Sequence, residues 1–154
     1  GNNADTHTGI AVDDRPYETF LSTDFLPFVA GINAGADCVL VSHNIVTCMD
    51  AAFPASLSPE VHRILREELG FSGVILTDDL AMDAVKAYTD NGSAAVLALL
   101  AGNDMIVTTD FAPQIAEVLA AVADGTIPME RIDSAVHRVL SWKYELGLLE
   151  VNHD

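Results

Sequence analysis

The chain has 154 residues, 23 acidic against 7 Lys and Arg, and a formal net charge of −16. That length suits one domain with a sizeable core, and half of the residues are hydrophobic, which excludes a disordered chain. The acidic balance argues against nucleic-acid partners and against anionic membranes, and the longest apolar run, Ala94 to Ala101, is too short to cross a bilayer.

In chain order, apolar residues at helical spacing predict a helix from Tyr17 to Ala34, interrupted at Pro27 and stopped by Gly35. Asp37 to His43 reads as a short buried strand, and Asn44 to Leu57 as a loop. Ser58, as N-cap before Pro59, opens a helix with Val61, Ile64, Leu65 and Leu69 on its apolar face, ended by Gly70. Gly73 to Thr77 is a second strand, followed by a short helix from Leu80 to Tyr88. Ser93 to Ala101 is an apolar helix ending at Gly102. Asp104 to Thr108 is a third strand, and helices follow over Pro113 to Ala123 and Pro128 to Leu146. Each connection between strands is long enough for a right-handed parallel crossover. Three parallel strands fit either a compact doubly wound sheet or the last part of a larger (β/α) barrel.

The chemistry gathers at Gly73-Val-Ile-Leu-Thr-Asp-Asp-Leu-Ala-Met82, where a buried strand ends in two carboxylates. Parallel α/β folds place their reactive groups at such strand ends. Neighbouring side chains on extended backbone face opposite ways, so one acid of the pair meets a ligand; Asp79 fits a helix-capping role better than Asp78 does. Asp5-Thr6-His7 puts a carboxylate two residues before an imidazole, close enough to fix its tautomer. His43 closes the first strand, level with Asp78, and either lines a pocket or bonds a neighbouring loop. His62 and His137 read as surface or packing residues, as do Trp142 and Tyr144. Cys38 and Cys48 read as small buried residues, with a disulfide between them the less favoured alternative, and no Cys/His spacing suits a metal.

Those residues resemble a known family. Gly73 to Met82 is similar to the nucleophile segment of family 3 of the glycoside hydrolases, in its β-N-acetylglucosaminidase branch. Ala55-Ser-Leu-Ser58, Leu65 to Gly73 and Ala94 to Gly102 with Asp104-Met-Ile resemble the segments around it, so the likeness runs from Gly1 to about Leu149. It implies an α/β fold: the C-terminal portion, about the last three βα units, of a TIM-type (β/α)8 barrel, with Gly1 falling where the family's Lys-His-Phe-Pro-Gly-His-Gly motif ends. It implies Asp78 as nucleophile, His7 as general acid/base and Asp5 as its dyad partner. His43, Asp79 and Met82 become candidate substrate-binding residues. The implied partner is a carbohydrate, with no cofactor and no metal.

The expected reaction is removal of terminal β-linked N-acetylglucosamine from muropeptides or related glycosides, with phosphorolysis as a variant because a neutral base repels phosphate less than a glutamate does. A half-barrel alone would be inactive, and would self-associate or pair with its missing N-terminal half. The rival from another class is a phosphoryl-transfer domain in which Asp78, Asp79 and Asp110 hold Mg²⁺.

Overall fold

A computed structural model describes residues 10–82, 85, 87–89 and 93–150. β1 (Val12–Asp13) leads to α1 (Tyr17–Thr19), which continues through a π-helical turn, Phe20–Asp24, into α2 (Phe25–Asn33). The predicted interruption at Pro27 takes this form. A proline ring crowds the carbonyl four residues back, and the wider turn just upstream makes the room. β2 (Cys38–Val41) and β3 (Ile45–Val46) follow, then a 3₁₀ turn at Ala55–Leu57.

α3 (Pro59–Arg63) opens as its sequence dictates: the Ser58 hydroxyl accepts the Val61 N–H at 3.1 Å, with Pro59 in the first turn. It runs into a second π-helical turn, Ile64–Glu68. β4 (Val74–Thr77), α4 (Ala94–Ala101), α5 (Phe111–Ala123) and α6 (Met129–Glu145) complete the chain. Ser93 caps α4 by accepting the Val96 N–H, and Gly102 stops it at φ +127°, a backbone state that L side chains resist. The helix expected from Leu80 to Tyr88 lies partly outside the described residues.

Two of the three expected strands pair in parallel over their whole length, Cys38 opposite Val74 through Val41 opposite Thr77. The third does not form a ladder. Asp104 to Thr108 makes one bridge, Leu76 to Met105, on the other side of β4. The reason lies in a side chain: the Val107 N–H goes to the Thr77 hydroxyl at 3.1 Å instead of a strand carbonyl. The predicted loop Asn44 to Leu57 in turn contains β3, which pairs in parallel with β1. Two residues per strand carry too little alternation to be read from sequence.

β4 is therefore the middle of the layer, with Val74, Ile75 and Thr77 fully buried. Val41, Ala55, Leu65, Phe71 and Ile75 form one core cluster under the helices, and Leu57, Leu80, Val85, Ala95 and Ala98 form a second. Gly73 admits no side chain, since an added Cβ would overlap the Asp37 carbonyl, which takes the Val74 N–H at 2.8 Å to start the β2–β4 register.

Polar burial concentrates at the N-terminal end of β4. The Asp104 carboxylate is fully buried and meets Arg66 at 2.6 Å, Arg138 at 3.1 Å and Arg131 at 3.4 Å. It also accepts the Ile75 N–H at 3.1 Å. Arg66 donates to the Phe71 and Gly73 carbonyls, and Arg131 to the Leu99 and Asn103 carbonyls. Burial pulls both guanidinium pKa values below the ordinary arginine value, against the pull of Asp104. The cluster ties the π-helical turn after α3, and α6, to the sheet. His62, expected at a surface or in packing, is buried: Nδ1 donates to the Ser58 carbonyl at 2.8 Å, and burial pushes its pKa down. His137 and Tyr144 are exposed and Trp142 is half-buried; Cys38 and Cys48 are free thiols, but neither is buried as expected, Cys38 being half-buried and Cys48 exposed.

Candidate active site

The C-terminal ends of β2, β4 and the Met105 segment point the same way, which brings Ser42–His43, Asp78–Asp79 and Thr108–Thr109 to one edge. The loop after β4 is anchored at once by the Asp78 N–H, which donates to the Val41 carbonyl at 3.2 Å, and by the Leu80 N–H, which donates to the Val107 carbonyl at 3.0 Å.

The two acids behave differently, as their places on the chain suggest. Asp78 is half-buried, and its Oδ1 accepts the Asp79 N–H at 2.8 Å. Among the described residues it makes no ion pair, and Oδ2 accepts no hydrogen bond. Asp79 is spent within the fold: its Oδ1 accepts the Ala81 N–H at 2.9 Å and the Thr109 N–H at 3.1 Å. The Ala81 and Thr109 donors, with His43 nearby, hold its carboxyl below the ordinary aspartate value of 3.8. Its role is a turn clamp that reaches the third segment, broader than the helix cap its position suggested.

His43 is buried and lies beneath the acid loop. Nδ1 is 2.7 Å from the Ser56 hydroxyl and Nε2 is 3.0 Å from the Asp79 carbonyl oxygen. Both ring nitrogens are occupied by protein groups, so of its two expected roles the structure shows the bond to a neighbouring loop. Met82 is half-buried in the turn after the acids. His7 and Asp5 lie outside the described residues. Asp110 is exposed at the start of α5, and no group of three His, Cys, Asp or Glu converges among the described residues, so the magnesium constellation with Asp78 and Asp79 is not assembled there.

Ser56, Asn103 and Thr109 were not singled out from the sequence. Asn103 is fully buried and donates to the Ser56 carbonyl at 2.7 Å and the Ala98 carbonyl at 2.8 Å. A weak signal existed for Ser56, a hydroxyl inside the apolar run Ala55-Ser56-Leu57. Buried polar groups of that kind need partners, and here the partner is the strand-end histidine.

A half-exposed carboxylate with a free oxygen, set at the end of a central parallel strand and held by one backbone donor, fits an α/β domain of the type that carries its functional groups at the strand ends. The chain belongs to family 3 of the glycosyl hydrolases. A family model described as "Glycosyl hydrolase family 3 N terminal domain" matches residues 1–142. A beta-hexosaminidase of Xanthomonas campestris pv. campestris (strain B100) is 38% identical over 143 residues, 90% of this chain and 42% of that protein. Among solved structures, a glycoside hydrolase family 3 beta-N-acetylglucosaminidase from Paenibacillus sp. str. FPU-7 superimposes with a TM-score of 0.87 at 32% identity, covering 98% of this chain and 30% of that one. A beta-N-acetylhexosaminidase from Beutenbergia cavernae DSM 12333 gives 0.78 at 32% identity, covering 90% and 43%. The chain spans less than half the length of each of these relatives.

Proposed function

We propose that this chain is the closing portion of a (β/α) barrel that removes terminal β-linked N-acetylglucosamine from muropeptides or related glycosides by double displacement. One observation carries the proposal: Asp78 sits at the C-terminal end of the central parallel strand with one carboxylate oxygen free of any cation or donor among the described residues. The likeness to a beta-hexosaminidase and to a beta-N-acetylglucosaminidase supports the sugar.

In the first step an Asp78 oxygen bonds to the anomeric carbon while the bond to the leaving oxygen breaks, and His7 gives that oxygen its proton. In the second step water attacks the same carbon, His7 takes the water's proton, and Asp78 leaves as carboxylate. Asp5 holds the His7 ring and favours its charged form. Met82 stands in the turn beside the nucleophile, where it would border the sugar. The remaining barrel would cover the outer edge of β2, with its exposed Leu40 and the exposed Phe28 near it. The segment alone would therefore be inactive and prone to self-association.

The test is turnover of an aryl N-acetylglucosaminide by the full-length protein. Asp78→Ala abolishes it if the proposal holds, and a variant that keeps near-normal turnover overturns the nucleophile assignment.

A further inference from the structure

We infer that His43, anchored by Ser56, is a positioning residue that holds Asp78 in its attacking geometry; the inference rests on the glycosidase reading above. A carbonyl oxygen only accepts, so the 3.0 Å approach of Nε2 to the Asp79 carbonyl places the ring hydrogen on Nε2. In the neutral ring Nδ1 then carries a lone pair, which takes the Ser56 hydroxyl hydrogen at 2.7 Å.

Ser56 is itself tied into the core. It is fully buried, its N–H donates to the Ser42 carbonyl at 3.0 Å, and its carbonyl takes the Asn103 amide at 2.7 Å. An unbroken line of hydrogen bonds thus runs from the core through Asn103, Ser56 and His43 to the acid loop.

At the end of that line Asp79 is held at its carbonyl by His43 and by the Met82 N–H at 3.2 Å, at its side chain by the Ala81 and Thr109 N–H groups, and at its own N–H by Asp78 Oδ1. The last of these orients the nucleophile. Loss of the ring would leave the Asp79 carbonyl on the Met82 N–H alone, at 3.2 Å, and loosen the Asp79–Leu80 peptide, so that the Asp79 N–H and the Asp78 Oδ1 it holds can shift. Displacement of a reacting group by about 1 Å costs on the order of 10²-fold in rate.

The experiment uses the full-length protein and two N-acetylglucosaminides, one with an activated aryl leaving group and one with a poor leaving group. His43→Ala should lower kcat by about 10- to 100-fold on both substrates while KM changes by less than about threefold, because the loss is of geometry rather than of a sugar contact or a proton. His43→Gln, whose amide N–H reaches the same carbonyl, should recover most of the loss. Ser56→Ala keeps the ring and the buried volume and should give a smaller fall of the same kind; together with His43→Gln it carries the test if His43→Ala does not fold. Unchanged kcat, a rise in KM alone, or a folded Gln variant no better than Ala overturns the inference. Activity surviving in Asp78→Ala overturns the glycosidase reading instead, so the two failures are told apart.

Discussion

Asp104 and Arg66 meet at 2.6 Å with the carboxylate fully buried, and that contact joins the start of the third segment to the helix before β4. Two further arginines share the same acid, so one carboxylate answers three guanidinium groups. Removal of the carboxylate strands those charges without a counter-ion. Asp104→Asn should destabilise the protein by about 3–5 kcal/mol, the cost typical of breaking a buried pair from one side. Thermal unfolding of the full-length protein checks it, and a change under about 1 kcal/mol would show that solvent already screens the cluster.

Asp79 gives a pH dependence with a definite sign. Its folded carboxyl is held below the ordinary value of 3.8, first by the Ala81 N–H and then by Thr109. The stabilisation is therefore complete above that ordinary value and fades as pH falls through the lower folded one. Asp79→Asn keeps an acceptor oxygen for both N–H groups and removes the titration. Melting temperatures followed from neutral pH to about pH 3 should fall less steeply in Asp79→Asn than in the parent. Parallel curves would show that other carboxylates dominate the acid limb.

The role proposed for His7 predicts a split by leaving group. An activated aryl leaving group departs with little help, whereas a sugar or alkyl leaving group needs the proton. His7→Ala should slow the poor leaving group by about 10²- to 10⁴-fold and the activated one by much less, as expected for loss of a general acid. Equal losses on both would count against the acid role.

Much of this architecture was legible because its signals are local. Ser58-Pro59 and Ser93 mark helix starts by chemistry that needs no distant partner, and Val74 to Thr77 is apolar enough to be a buried strand wherever it packs. The acid doublet was legible for the same reason, as a costly pair in an expensive place. Long-range substitutions in hydrogen bonding were not. The third strand reads as a strand until the Thr77 hydroxyl takes the Val107 N–H, a pairing set by the sheet alone. His43 likewise reads either as a pocket residue or as a partner of a neighbouring loop, and only the fold decides, by bringing Ser56 and the Asp79 carbonyl to its two nitrogens. Asp104 looks like a polar strand boundary, and the arginines that explain its burial come from 38 residues before it and 27 and 34 after it.

The middle place of β4 also bears on how the molecule breathes. Edge segments loosen first in local opening, whereas a strand bonded on both flanks and sealed from water opens only when the whole domain does. The Ile75 amide is tied to Asp104, and the Thr77 amide to the Met105 carbonyl. Both should rank among the slowest to exchange with deuterium, so the acid at the tip of this strand is carried by backbone that stays closed while its surroundings fluctuate.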